Sequence, residues 1–271
     1  MQRNMYVMLA VVLSLAGCTP AGKESAESSV PGFKTVQNLG EAFFSAVQSK
    51  DPDKVLATYV DFEAFAGLKK AMIESVDDPL QKIKIEKAFD EDLSREKWDK
   101  HQARVYDKIL QFLMAIDDGK RDVSFEAIKQ GAFLGLAPLR ISREKFSKRF
   151  GVDGKKLGYN ASDLAILFFE HEGLVFEIRI DALIRVNHRW YLAGDYLSIS
   201  LIRSKSDLYS ESMDQLNSEA KKVYQSVGKH LEKMSSRDYS AKVEKYLTTV
   251  GSKGRRPVTV PGDLGNTTQS Y

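Results

Sequence analysis

The sequence predicts an α+β fold, with N-terminal helices packed on a curved antiparallel meander of three to four strands, a helical insertion and C-terminal helices. Three patterns lead to this prediction. Apolar residues recur every three to four positions within 36–47, alternate with charged residues over 176–186, and return to a helical spacing after 213. A period of 3.6 residues is typical of a half-buried helix, and a period of two is typical of a half-buried strand. We expect one folded domain over 33–250.

The composition is that of an ordinary globular protein. The 271 residues are 28% charged and 43% hydrophobic, and 40 Lys+Arg against 37 Asp+Glu leave a formal charge of +3. A single cysteine excludes a disulfide framework and a thiolate metal cluster. The near-neutral charge argues against nucleic-acid binding. We therefore expect no metal, no cofactor and no nucleic-acid partner.

The first 17 residues have the pattern of a secretory signal peptide. Residues 5–15 are almost wholly apolar, too short a run to span a bilayer, and the segment ends in Leu-Ala-Gly before Cys18. This ending resembles the bacterial lipobox, which implies cleavage before Cys18 and attachment of acyl chains to that residue. The resemblance implies a lipoprotein whose partner is the membrane. Thr19, where Asp tends to retain such proteins at the inner membrane, favours the outer membrane, facing the periplasm.

Two terminal segments carry no apolar period. Residues 18–32 are rich in Ser, Ala, Gly and Pro, and residues 251–271 are rich in Gly, Pro, Thr and Ser. Such segments cannot bury enough apolar surface to fold. We expect a flexible tether at 18–32 and a disordered tail at 251–271.

The folded region opens with helices. The first has an apolar stripe formed by Val36, Leu39, Phe43 and Val47. Asp51-Pro52-Asp53 then gives a capping residue, a proline suited to the first helical position and a dipole-favoured acid, and Asp61 is expected to cap a third helix.

A helical insertion is expected over about 61–150. It includes two short helices within 123–150, divided by Pro138. Residues 74–99 carry a net negative charge and 140–156 a net positive charge, which hints at a contact between them, although a charge run is usually a solvated face.

The sheet is expected over about 155–203. From Phe176 to Val186 the even-numbered residues are apolar and the odd-numbered ones are mostly charged, which predicts a long strand with one face in water. Turn residues on either side predict two hairpins, and Gly194-Asp195 predicts a bulge. A fourth strand is expected at 155–159. The C-terminal helices, over about 206–250, are expected to pack on the domain's own core rather than on a partner.

Two patterns resemble nuclear-transport-factor-two-like lipoproteins, which include ketosteroid isomerase-like cone domains. They are the first two helices, 41–60, and the last hairpin, 183–192. The resemblance implies a curved sheet that wraps helices into a cone with a pocket. The helical segment 61–150 and the helices after 204 depart from the family's plan. The pocket-lining residues that we expect are Phe43, Tyr59, Ile178 and Trp190.

Three classes of function follow. The first is a non-catalytic envelope module that binds a protein or a small apolar ligand. The second is an assembly or scaffold component that uses an exposed apolar patch on the C-terminal helices. The third is an enzyme, which requires a buried carboxylate beside a tyrosine in the cone. No residue matches the catalytic positions of the isomerases by motif, so we expect no enzymatic activity.

Overall fold

The structure is a computed structural model that describes residues 32–92, 94–117, 122–142, 151–154, 157–209 and 216–253. The predicted signal peptide (1–17), Cys18, the predicted tether (18–32) apart from its last residue, and the predicted tail beyond 253 lie outside these residues. Within the described part of the chain, no helix is both long enough and apolar enough to cross a membrane.

The described residues form an α+β domain, as the sequence predicts. The helices are α1 Val36–Gln48, α2 Pro52–Leu56, α3 Phe62–Glu74, α4 Pro79–Asp92, α5 Arg95–Asp117, α6 Phe125–Lys129, α7 Lys205–Leu208, α8 Ser218–Glu232 and α9 Ser236–Lys253. The strands are β1 Ala132–Ser142, β2 Asn160–His171, β3 Leu174–Ile180, β4 Leu183–Val186, β5 Arg189–Leu192 and β6 Leu197–Leu201.

The second and third helices begin at the predicted caps. The Asp51 carboxylate accepts hydrogen bonds from the first backbone N–H groups of α2, and Pro52 is the first helical residue. Asp61 accepts a hydrogen bond of 2.7 Å from the backbone N–H of Ala64 at the start of α3. Both acids satisfy N–H groups that a helix cannot satisfy internally.

The sheet is an antiparallel meander centred on β2. β1 pairs along one edge of β2, and β3 and β4 pair with residues 165–171 and 160–162 along the other. β6 pairs with β3, and β5 pairs with β4. The predicted long strand is therefore present but interrupted between β3 and β4, and the last strand is interrupted between β5 and β6.

These interruptions lie side by side, where the sequence predicts a bulge at Gly194-Asp195. Backbone hydrogen bonds on either side join Ala193 to Ala182 (3.0 Å) and Asp181 to Tyr196 (3.2 Å). Two residues on one strand therefore have no counterpart on the other. Such a bulge locally disrupts the ladder and bends the strand that carries the extra residues.

Both predicted hairpins have two-residue turns. Glu172-Gly173 joins β2 to β3 with φ of 51° and 76°, and Asn187-His188 joins β4 to β5 with φ of 49° and 64°. Two positive φ angles in succession match the right-handed twist of the strands that the turn connects.

β1 corrects the expectation that 123–150 holds two short helices and that the fourth strand lies at 155–159. Among the described residues of 123–150, α6 is helical and Ala132–Ser142 is a strand, while 157–158 form a turn before β2. Residues 143–150 and 155–156 lie outside the described part of the chain. β1 is buried on both sides from Leu136 to Leu139, so its sequence shows no period of two. Pro138 is compatible with the strand because β1 lies at the edge of the sheet.

β3 corrects the expectation of a strand with one face in water. Phe176 and Ile178 are fully buried as predicted, but on the odd-numbered side Val175 is also fully buried and Glu177 is only 7% exposed. Glu177 accepts hydrogen bonds of 2.9 Å from Arg179 Nε and from Ser200 Oγ. These donors satisfy a carboxylate that would otherwise be costly to bury.

Helices cover both faces of the sheet. Successive residues of a strand face opposite sides. The Phe169 ring lies 4.9 Å from Phe44 of α1, whereas the Phe168 ring lies 5.2 Å from Tyr224 of α8. The apolar stripe of α8 is consequently buried in the domain's own core, as predicted; its buried residues are Ala220, Val223, Tyr224, Val227, Gly228 and Leu231.

Two hydrophobic clusters fill the domain and meet at the β4–β5 hairpin. The main cluster holds the sheet, α1, α5 and α8, and the second cluster holds α3, α4 and Trp98 of α5. On the hairpin, Leu183 and Trp190 belong to the main cluster, and Ile184 and Tyr191 belong to the second. Val152, from the basic stretch 140–156, belongs to the second cluster together with Ile85 and Phe89 from the acidic stretch 74–99. Residues 143–150 and 155–156 lie outside the described residues, so a contact between the two charge runs stays a prediction.

The last helix, α9, is fastened to the sheet by two tyrosines. The Tyr239 hydroxyl donates to the Ile202 carbonyl (2.7 Å) and accepts from the Val175 backbone N–H (3.3 Å). The Tyr246 ring lies 5.5 Å from Phe176. α9 continues to Lys253, three residues beyond the boundary at 250 that the sequence predicts.

Candidate functional site

A surface cavity of about 530 Å³ lies between α1, β1 and the start of α8. We call it the α8 groove. Small-molecule sites have volumes of about 300–1,000 Å³ and combine apolar walls with a few polar groups. The residues that line the α8 groove are Gln37, Leu134, Ser218, Glu219, Lys222, Val223 and Ser226.

A β-bulge forms the floor of the α8 groove. Leu134 is the extra residue between Phe133 and Gly135, where the register of β1 against β2 shifts. A Cβ on Gly135 would lie 2.8 Å from Cγ1 of Val223, so this position needs glycine for α8 to pack so closely. The bulge brings the Leu134 side chain to the groove beside Val223.

Gln37 holds the α1 side of the groove to the edge strand. Its Nε2 donates to the Leu136 carbonyl and its Oε1 accepts from the Leu136 N–H, both at 3.0 Å. This pairing satisfies two backbone groups that an edge strand leaves open. The wall is therefore fixed by the same contacts that close the edge of β1.

Asn217 fixes the other wall. Its Oδ1 accepts hydrogen bonds of 2.9 Å from the N–H groups of Glu219 and Ala220, and its Nδ2 donates to the Pro138 carbonyl at 2.6 Å. One side chain thus caps α8 and docks it on β1. The first two turns of α8, which carry Glu219 and Lys222, have a defined position over the bulge.

Glu219 is the perturbed acid of the groove. Burial raises the pKa of its carboxyl above the usual value, and hydrogen bonding from Gln37 and the charges of Lys222 and Arg185 partly oppose this effect. A perturbed acid inside a cleft is a marker of functional sites, although structural charge networks show it as well.

The four predicted pocket-lining residues lie in the main hydrophobic cluster. Phe43 and Ile178 are fully buried, and Tyr59 and Trp190 are 6% and 7% exposed. None of the four lines the α8 groove or a smaller cavity of about 280 Å³ on α3. The structure therefore brings them together as packed core, and the cavities described here lie elsewhere.

A polar cluster surrounds the bulge in the last strand. Asp195 pairs with Arg104 of α5, with 2.9 Å between Oδ2 and Nε. Burial, followed by the charges of Asp195 and Asp181, raises the pKa of Tyr59 far above its usual range. Burial and the Arg104 charge lower the pKa of His101. The Asp195 side chain is one-third exposed and already paired with Arg104.

Within the described residues, no group of three or more His, Cys, Asp or Glu side chains is placed to hold a metal ion. Cys18, the predicted lipid-attachment residue, lies outside the described residues. Comparison with protein-family models, with curated proteins and with solved structures found no match.

Sequence reasoning missed the α8 groove because it missed β1. The groove needs the bulge at Leu134 and the edge of β1, and both fall in a segment expected to be helical. The punctuation by Gly131, Gly135 and Pro138 was the available signal, since such residues in a strand mark bulges and edges. Gln37 and Asn217 give no signal of their own, because their partners are backbone groups about 80 to 100 residues away.

Proposed function

We propose that this protein is a lipid-anchored lipoprotein of the bacterial cell envelope whose folded domain is a non-catalytic binding module for a small apolar ligand. The α8 groove is its binding site. The observation that carries the proposal is the groove itself, a cavity of about 530 Å³ with an apolar floor of Leu134 and Val223 and a rim of polar side chains.

The anchor is Cys18, supported by the lipobox-like sequence before it. In this proposal the acylated protein sits at the outer membrane and faces the periplasm, and a distant relationship to nuclear-transport-factor-two-like lipoproteins accounts for its opening helices and last hairpin. The Cys18→Ser protein lacks the acyl chains, and several chains are needed for stable anchoring. Cell fractionation should find this variant in a soluble or uncleaved form, whereas the parent protein is found in the membrane fraction. Membrane attachment that is unchanged in the variant would contradict the anchor.

An apolar fluorescent probe tests the groove. The unacylated polypeptide 19–271 keeps every described residue, and its folding is first checked by cooperative unfolding in urea. We expect saturable binding of N-phenyl-1-naphthylamine, and we expect Ser226→Trp to weaken it about tenfold or more by filling the groove.

Gln225→Trp is the matched control, because Gln225 is exposed on the same helix but does not line the groove. It should leave probe binding unchanged. Equal effects of the two tryptophans, or no saturable binding, would contradict a ligand site in the α8 groove.

The two alternatives receive less support. A scaffold that uses an apolar patch on α8 requires an exposed stripe, and that stripe is buried against the sheet. An enzyme requires a buried carboxylate beside a tyrosine. The carboxylate whose charge acts most strongly on Tyr59 is that of Asp195, and this carboxylate already pairs with Arg104.

A further inference from the structure

The rim of the α8 groove carries one charge of each sign. Glu219 and Lys222 are three residues apart on α8, so their side chains are neighbours on one helical face, with Cβ atoms about 5–6 Å apart. They are close enough for the Lys222 charge to act on the Glu219 carboxyl. The floor beside them is the apolar pair Leu134 and Val223.

This arrangement selects among apolar ligands. A ligand with only an apolar chain would bury Glu219 further without offering it a partner, which is unfavourable for a charged group. An anionic headgroup would be repelled by Glu219, and a cationic headgroup would be repelled by Lys222. A headgroup that carries both charges pairs with both residues.

The start of the domain places such ligands within reach. The described chain begins at Gly32, five residues before Gln37 in the groove wall. In the proposed function, residues 18–32 are the tether that the sequence predicts, and an unstructured chain of that length has a root-mean-square reach of roughly 20 Å. On the proposed function, on which this inference rests, the groove therefore operates close to a bilayer.

We propose that the α8 groove binds a zwitterionic single-chain amphiphile of the lysophospholipid class. Its acyl chain lies along Leu134 and Val223, its cationic group pairs with Glu219, and its phosphate pairs with Lys222. No covalent step is involved.

Three twelve-carbon amphiphiles test this proposal by displacing N-phenyl-1-naphthylamine from polypeptide 19–271 below their micelle concentrations. They are dodecylphosphocholine, dodecyl phosphate and dodecyltrimethylammonium, which share a chain and differ in headgroup charge. We expect dodecylphosphocholine to bind about fivefold more tightly than either of the others, the advantage of one additional rim ion pair.

Charge-removing variants identify the residues. Glu219→Gln should abolish the advantage of dodecylphosphocholine over dodecyl phosphate, and Lys222→Gln should abolish its advantage over dodecyltrimethylammonium. Lys229→Gln, at an exposed position of α8 outside the groove, should change neither ratio.

The outcomes separate this inference from the proposed function. If the probe binds, Ser226→Trp blocks it, and yet both ratios are unchanged in Glu219→Gln and Lys222→Gln, the headgroup assignment is wrong and the binding module stands. If the probe does not bind, or Ser226→Trp has no effect, the proposed function fails and this inference fails with it.

Discussion

Gly194 lies in the bulge, close against Asp181 and Ala182 of the neighbouring segment. A Cβ there would lie 2.9 Å from Oδ2 of Asp181 and 3.0 Å from the backbone N of Ala182, and would overlap the Asp181 Cβ. Gly194→Ala should therefore destabilise the domain by about 1–3 kcal/mol, the usual cost of overpacking. Urea unfolding measures this loss.

Gly251 supplies the control for that experiment. It is exposed on α9, and a Cβ there would meet nothing within 4 Å. Gly251→Ala should be neutral or slightly stabilising, because alanine is the better helix former. A loss at Gly194 no larger than the change at Gly251 would show that the strands separate easily at the bulge.

Glu177 is a buried carboxylate with two donors. Glu177→Ala removes the acceptor of the hydrogen bonds from Arg179 Nε and Ser200 Oγ, and we expect a loss of about 1–3 kcal/mol in unfolding free energy. Glu86→Ala, at an exposed position of α4, should change stability by about 0.5 kcal/mol or less. Similar small effects at both positions would indicate that water replaces Glu177 without penalty.

Glu219 should make stability depend on pH. Because burial raises the pKa of this carboxyl in the folded protein, the folded state holds its proton at pH values where the unfolded state has lost it. Stability therefore falls as pH rises from about 4.5 through the folded pKa.

Glu219→Gln removes this titration. The variant should be more stable than the parent at about pH 7 and should lose that advantage below the unfolded pKa. Urea midpoints at both pH values measure the difference, with Glu232→Gln, exposed on the same helix, as the control. If the stability advantage of Glu219→Gln is the same at both pH values, protonation of Glu219 is not its cause.

Sequence patterns predict the local roles of some charged residues, but they do not predict whether a charged side chain is buried. Glu177 alternates with apolar neighbours as a solvent-facing residue does, yet it is buried. It pairs across the sheet with Phe168, whose ring packs on Tyr224 of α8, a helix that begins about 40 residues later. By contrast, Asp51 and Asp61 act within four residues of themselves, so their capping roles were predictable. Local chemistry can be predicted from sequence at this scale, whereas burial by a distant element cannot.

At the scale of elements, the edge of β1 is closed by amide side chains. Gln37 satisfies Leu136, Asn217 satisfies Pro138, and Gln48 donates to the Gly131 carbonyl at 3.0 Å. Open edges promote association between sheets, and natural proteins cover them.

Gln37→Leu should uncover the middle of this edge. We expect a loss of about 1–3 kcal/mol from the two unsatisfied Leu136 groups and a shift towards oligomers in light scattering as concentration rises. Glu41→Leu, at an exposed position one turn along α1, adds the same apolar side chain without opening the edge. If it produces equal association, the added leucine is responsible rather than the edge.

The elements that the sequence predicted correctly are those whose pattern is complete within one segment. α1, the β2–β3 and β4–β5 hairpins and α8 each carry their own period, caps or turn residues. β1 does not, because α1 and α8 cover it on both sides and thereby remove the alternation. The α8 groove is built on β1, so the candidate site could not be predicted once the strand was missed.

At the scale of the whole molecule, the two hydrophobic clusters share the β4–β5 hairpin. Unfolding of either cluster exposes one apolar face of that hairpin, so we expect both to unfold in one cooperative transition. The chain has two tryptophans, Trp98 in the second cluster and Trp190 in the main one.

Single-tryptophan variants report on each cluster. Fluorescence of the Trp98→Phe protein follows the main cluster, and fluorescence of the Trp190→Phe protein follows the second. Their urea midpoints should agree with the midpoint of each variant measured by circular dichroism. A fluorescence midpoint in the Trp190→Phe protein that precedes its loss of secondary structure would identify the second cluster as a separate unit.

The tyrosines of α9 determine when the sheet can complete its packing during synthesis. Val175 and Ile202 receive their partner, Tyr239, from the last helix, and Phe176 receives Tyr246 from the same helix. Nearly the whole chain must therefore be synthesised before the sheet can make these contacts. Until then the nascent protein keeps apolar surface exposed, which makes it a client of chaperones.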